Sequence, residues 1–332
     1  MDRRDFVKLT GLTMAASYVA DTIALGQSVS TGGGRELLSG FLALPGKKGV
    51  QIDVDARDGL RREQHDADAA LFCGSCFKTF VLAAYLQEVE AGRLSLSEQL
   101  AIDDAIRSTG GKVFDHLTGT APASVVLEAM IAHSDNTATD VAMRRVGADK
   151  VRAFIARAGL KDARIPDSTR RYFSYVAGYN PGVDMGWQGI EALRADKLDK
   201  KPRDAINAET TMACPAATFV DYYKRALKGE FFSKPETLVE FKRIQTMADA
   251  IAQVVPPDTA AYAKGGSIDW NGFHCLAVAG QMIVGSTPIT FCLNLNWRDS
   301  DNPDTASVIG AYKNAATDVL ARVRADVLQG RT

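Results

Sequence analysis

What this 332-residue chain lacks narrows its chemistry at once. It contains no Gly-x-Ser-x-Gly elbow and no zinc-binding motif, which argues against the common serine-elbow and metallo-hydrolase arrangements. It also has no phosphate-cradling glycine loop and no dinucleotide fingerprint, so no cofactor is implied. The four histidines (His65, His116, His133, His274) show no ligand spacing, and Cys73-x-x-Cys76 has no second such pair to complete a metal site. Charge of neither sign is in surplus. Lysine and arginine number 39 and the acids 40, interspersed, so neither a nucleic-acid groove nor a polybasic membrane patch is indicated. No apolar run reaches the roughly 20 residues of a bilayer span. Cysteine is scarce and odd in number (Cys73, Cys76, Cys214, Cys275, Cys292), so at least one thiol is free or pairs between molecules. Small buried thiols are the simpler reading, and a disulfide from Cys73 to a distant cysteine is the alternative in an oxidising compartment.

What is present begins with an address. Asp2-Arg3-Arg4-Asp5-Phe6-Val7-Lys8 precedes a modest apolar stretch from Leu9 to Ala20, and Ala24-Leu25-Gly26 offers a small-x-small cleavage site. Residues 1–26 thus resemble a bacterial twin-arginine export signal, although Asp2 and Asp21 depart from the usual pattern. Export of this type carries folded proteins and implies a periplasmic or secreted location. Residues 27–35, with three consecutive glycines, read as a flexible leader.

The chain is 46% hydrophobic, and the remainder, 36–332, is long enough for one large globular unit. Gly49 to Asp55 alternates as a strand, and Ala56 to Gln64 reads as its turn and return. Phe77 to Glu90 has helical spacing and ends at Gly92. Further helices are expected over Ala123–Ala132, Thr137–Gly159, Ala216–Lys228 and Pro235–Val254. Phe273–Val284 and Pro288–Trp297 read as two long strands joined at Gly285-Ser286, and a last helix runs from Asn302 to Val327. No internal repeat is present. The pattern predicts an α+β (α/β sandwich) fold: an antiparallel sheet from both chain ends (about 36–72 and 213–332) flanked by helices, with an all-helical subdomain (about 73–212) inserted.

Three short motifs occur in a fixed order. Ser75-Cys76-Phe77-Lys78 is the chain's one Ser-x-x-Lys; Ser134-Asp135-Asn136 and Lys264-Gly265-Gly266 follow. Each alone is weak, since a second Ser-Asp-Asn stands at Ser300-Asp301-Asn302, where helix capping explains it. Together they match the order used by active-site serine enzymes. Ser75 is expected to open a helix, where backbone N–H groups favour developing negative charge, with Lys78 one turn on and on the same face. A lysine held there among other cations, partly desolvated, loses its proton readily and can act as general base for the serine.

These motifs, with the stretch Met130–Ala138, Thr210-Thr211 before a helix and the hairpin after Lys264, resemble the serine β-lactamase and penicillin-binding superfamily, the class A β-lactamases in particular. The resemblance runs from about Ile52 to the C-terminus. It implies that Ser75 is the nucleophile, that Ser134 relays a proton to the leaving nitrogen, and that Asn136 binds the substrate's amide. It further implies that Lys264 faces Ser134 and the substrate carboxylate, and that Gly266 lets the strand edge approach the ligand. The N–H groups of Ser75 and Ser267 would form the oxyanion hole, and the Ser267 hydroxyl would offset the threonine that Gly265 replaces. Asp135 is expected to brace its loop.

The departure lies in the loop after the Ser-Asp-Asn helix. Class A enzymes carry a water-activating glutamate there, whereas Leu160 to Arg171 contains none and its nearest acid is Asp167. The segment from Tyr172 to Glu209 is longer than the family's and is expected to border the active site. Asp167, Asp184, Glu191 or Lys78 itself would then activate water. Three readings follow: a β-lactamase acylated on Ser75, a D,D-peptidase or esterase of the same fold, and a β-lactam-binding module that clears its adduct slowly. The expected partner is a small β-lactam or D-amino-acid peptide, and the expected state is a monomer.

Overall fold

The computed structural model describes residues 36–331, so the signal and leader assigned to residues 1–35 lie outside the described residues. Strand β1 (Lys47–Ala56) pairs antiparallel with β2 (Gly59–His65), the turn and return expected there. A small ribbon of β3 (Gln99–Ile102) and β4 (Gly119–Pro122) lies within the helical part. The helices of that part are α1 (Lys78–Glu90), α2 (Ala123–Ala132), α3 (Asn136–Val146), α4 (Ala148–Arg157), α5 (Thr169–Val176) and α6 (Gly186–Arg194). Helices α7 (Ala216–Lys228) and α8 (Pro235–Gln245) lead back to β5 (Ala260–Trp270), β6 (Phe273–Val284) and β7 (Thr287–Arg298), and α9 (Thr305–Leu328) closes the chain. The sheet order is β2-β1-β7-β6-β5, antiparallel throughout, so the first strands lie beside the last one.

Strand β7 is covered on both faces, so its apolar residues are buried on either side and Thr290, Asn294 and Asn296 are buried among them. Ile289, Phe291, Leu293, Leu295 and Trp297 pack with Val308, Tyr312, Ala316, Val319 and Leu320 of α9 in one core. Cys292 points the other way into the core of the helical part, with Cys275, Ala277 and Ala279 of β6. Two helical runs are broken. The expected helix Thr137–Gly159 divides at Gly147, whose φ of +89° is open to glycine but costly to other residues. The run Pro235–Val254 stops at Gln245 and resumes as a single turn over Ile251–Val254; Asp249 lies between, its N–H bonded to the carbonyl of Ala132. The second Ser-Asp-Asn does not cap α9. Asp304 does, accepting from the Ser307 N–H at 3.1 Å, while Asn302 and Asp301 close the preceding turn. All five cysteines are buried and unpaired. Among the described residues no helix is long and apolar enough to cross a membrane.

At the far end of the hairpin His274 is buried and stacked on Trp297 at 4.8 Å, with Asp299 2.8 Å from Nε2 and Asp269 3.3 Å from Nδ1. Burial alone would lower its pKa, but the two carboxylates outweigh it and the pKa is raised above 6.5. A raised folded pKa contributes stability fully present below the unfolded value, near 6.5, and lost as pH rises through the folded value. Melting temperature should therefore fall over that window. In Asp299→Asn the fall should shrink, and an unaltered profile would remove His274 as its source.

Candidate active site

The segment before Ser75 is anchored to the sheet. Asn296 of β7 donates from Nδ2 to the Phe72 carbonyl and accepts the Phe72 N–H on Oδ1, both at 2.9 Å. Ser75 then lies in a single 3-10 turn, Gly74–Phe77, and the α-helix starts only at Lys78. Gly74 has φ +50°, and a Cβ there would come within 2.6 Å of the Ser267 nitrogen. A Cβ on Gly266 would lie 2.1 Å from the Cys73 carbonyl oxygen and 2.8 Å from the Ser75 nitrogen. Two glycines thus let the open edge of β5 touch the nucleophile turn, which sets the amides of Ser75 and Ser267 beside one another. That pairing suits an oxyanion hole.

Lys78 is fully buried. Its Nζ donates to Asn136 Oδ1 and to the Ser134 carbonyl, both at 2.7 Å, and approaches Ser134 Oγ at 3.4 Å. Burial chiefly, then the charges of Lys264 and Lys112, hold its pKa well below that of a free lysine, against the opposing pull of Asp135 and Asp140. Ser134 sits at the cusp between α2 and α3 with φ +57°, a conformation costing about 1–3 kcal/mol that the surroundings must enforce. Asp135 enforces it: its carboxylate accepts from the N–H groups of Ala138 and Val113 at 2.7 Å and of Phe114 at 3.0 Å. Asn136 is fixed in turn by donating from Nδ2 to the Thr109 carbonyl at 2.8 Å.

Lys264 is buried on β5 and donates to its neighbour's carbonyl, Gly265 O, at 2.8 Å. Burial lowers its pKa to about 8, partly offset by Asp249. Above that pH it loses its charge. The kcat/KM for a carboxylate-bearing substrate should therefore decline as pH passes about 8, while a neutral ester is less affected; parallel profiles for both would contradict this role for Lys264.

Ser75, Ser134, Asn136, Lys264, Gly266 and Ser267 line one cavity, and Lys78 stands behind it. Asp167 is not brought there. Ser168 caps α5 by accepting from the Arg171 N–H, which turns Asp167 outward into ion pairs with Arg152 and Arg171 at a separate surface depression. Asp184 is likewise drawn to Arg170, at 2.6 Å, and Glu191 is exposed on α6; neither lines the cavity. The side chain from this loop that comes beside Asn136 is Thr169. Its hydroxyl meets Ser108 Oγ at 2.9 Å and lies 3.4 Å from the Asn136 carbonyl oxygen. Behind it Asp140 accepts from the N–H groups of Thr169 (2.6 Å) and Arg170 (2.9 Å), and burial raises its pKa to about 6.

Sequence reasoning missed Lys112, Asp249 and Lys313, which line the same cavity from three separate segments, whereas Tyr172 and Phe173 line it from the start of the long loop, as expected of that segment. Only Asp140 left a trace in the sequence, one helical turn after Asn136. The loop itself is pinned to the body: Trp187 lies between the guanidinium groups of Arg107 (5.3 Å) and Arg194 (4.8 Å), and Trp270 donates to the Arg203 carbonyl at 2.9 Å. Among the described residues no cluster of three or more His, Cys, Asp or Glu could hold a metal ion.

The sequence model of the beta-lactamase enzyme family matches residues 48–278. No curated protein matches the chain. Among solved structures, a beta-lactamase from Sphaerobacter thermophilus aligns with a TM-score of 0.66 at 17% identity, covering 89% of this chain and 96% of its own. One from Xanthomonas campestris pv. campestris aligns with 0.66 at 19% identity, over 89% and 97%. PBP-A aligns with 0.64 at 15% identity, over 87% and 95%. At these identities the likeness to solved structures speaks for the fold.

Proposed function

Since the chain belongs to the beta-lactamase enzyme family, we propose that it is an exported serine hydrolase that opens β-lactam rings through an acyl-enzyme on Ser75. The observation that carries this reading is the buried Lys78, depressed in pKa and held by hydrogen bonds to Ser134 and Asn136. As the Ser75 oxygen attacks the lactam carbonyl, its proton passes to the neutral Lys78 amine. The carbonyl oxygen takes up the electron pair and is met by the N–H groups of Ser75 and Ser267. Collapse breaks the carbon–nitrogen bond, and the nitrogen receives its proton through the Ser134 hydroxyl, which lies next to Lys78. Lys264 offers positive charge to the substrate carboxylate.

Clearing the acyl group requires an activated water. No carboxylate of the Leu160–Arg171 loop lines the cavity, and the Thr169 hydroxyl beside Asn136 is buried against that of Ser108. Lys78 is then the base for this step as well, and deacylation limits turnover. The same observation favours a second reading, in which the physiological substrate is a D-amino-acid peptide or ester. Intact mass measured over time after mixing with benzylpenicillin tests both. An adduct of one penicillin mass that decays over minutes, absent in Ser75→Ala, is the expected result. Labelling that persists in Ser75→Ala would overturn the assignment of Ser75. An adduct that never decays would turn the search to peptides and esters.

A further inference from the structure

Three lysines and one aspartate line the cavity beside Ser75: Lys112, Lys264, Lys313 and Asp249. Two of the lysines are already engaged. Lys112 Nζ lies 3.8 Å from Asp249, and Lys264 donates to Gly265 O. Lys313, on α9, makes no hydrogen bond or ion pair among the described residues. Burial alone acts on it, drawing its pKa below that of a free lysine. Lys313 is thus the one cavity lysine with no protein partner among the described residues, and its charge is available to a ligand.

Its position in the fold says what it would meet. Ile309, Lys313 and Thr317 stand four residues apart and so share one face of α9. Ile309 borders a small recess with Ser267 and Leu276, while Thr317 donates to the Gln253 carbonyl at 3.5 Å. That face therefore borders β6 and the Ile251–Val254 turn, and Lys313, between these two points, lines the same cavity as Gly265 and Gly266. There is no room for a side chain at position 265: a Cβ on Gly265 would come within 2.7 Å of the Ala250 Cβ. The glycine and Ala250 fit one another, and a hydroxyl at 265 is not available to hold an anion.

We propose that Lys313 is a second counter-charge for the substrate's carboxylate beside Lys264, supplied from the C-terminal helix in place of a side chain at position 265. The inference rests on the acyl-transfer reading for the substrate's identity, and it selects β-lactams and acyl-D-amino acids with a free carboxylate over their esters and amides.

Calorimetric binding of N-phenylacetyl-D-alanine and of its primary amide tests this without requiring acylation. The intact protein should prefer the acid. Lys313→Met should lose about tenfold of that preference, as expected for a charge-assisted hydrogen bond, and Lys313→Arg should keep most of it. Affinity for the amide should not change, whereas a merely structural role would weaken both ligands together. Equal losses for acid and amide, an unchanged preference in Lys313→Met, or no preference in the unsubstituted protein would each overturn the proposal. A Lys313-dependent preference in a protein that penicillin never labels would instead retain Lys313 and sink the reading of Ser75.

Discussion

Replacing Lys78 by methionine is expected to slow acylation of Ser75 by about 10²- to 10⁴-fold, the range removed with a positioned general base. The substitution roughly conserves volume, so packing around α1 should survive. It leaves Asn136 Oδ1 and the Ser134 carbonyl without their shared donor, and a melting temperature measured alongside will register a cost of about 1–3 kcal/mol for each buried group left unpaired. Stopped-flow acylation by a chromogenic cephalosporin, below that temperature, isolates the chemical effect. The pH dependence supplies a second readout. In the unsubstituted protein the rate should rise with pH through the depressed pKa of Lys78, because only the neutral amine accepts the serine's proton. The variant should lose that limb. Acylation within tenfold of normal, with the limb intact, would place the base elsewhere.

Gly266→Ala should be nearly as damaging, for a different reason. The added methyl would stand 2.1 Å from the Cys73 carbonyl oxygen and 2.8 Å from the Ser75 nitrogen, both backbone atoms with little freedom to yield. Either β5 moves off the nucleophile turn or the turn itself shifts, and the amides of Ser75 and Ser267 can no longer address one oxygen. Loss of one oxyanion donor typically costs about 10²- to 10³-fold in kcat. Overpacking adds about 1–3 kcal/mol of destabilisation. Gly265→Ala is the informative control. Its methyl would meet the Ala250 side chain and not the Ser75 turn, so it should cost stability with a smaller effect on rate. Comparable losses of rate in both variants would argue against the contact at Gly266 as the source of the oxyanion hole.

The β6–β7 hairpin was legible in the sequence because both strands are covered on both faces, leaving long apolar runs punctuated by Gly285-Ser286. Helix α7 was legible for the opposite reason: one side is buried and the other wet, so its period shows, and its bounds match those expected. The three motifs could be found because each is contiguous and its fold brings its residues together locally. What could not be read is where side chains point once a cap or an ion pair competes for them. Asp167 stands in the loop where the resemblance expects the acid, yet the cap at Ser168 and two arginines take it outward. Asp184 is lost to Arg170 in the same way. Lys112, Asp249 and Lys313 belong to segments with no motif, and their meeting depends on the break in α8 and the packing of α9 against the sheet, which are tertiary events.

The buried cysteines carry a consequence for the protein's history in the cell. Burial pushes the Cys76 thiol up to about 12 and the other four well above the usual value, so in the folded chain none offers a thiolate to an oxidant or an alkylating reagent. Unfolding would release five reactive sulfurs simultaneously, free to cross-link in wrong combinations. A chain of this composition tolerates an oxidising compartment only if it arrives with its core already closed, and the proposed twin-arginine route, which moves proteins after folding, meets that requirement.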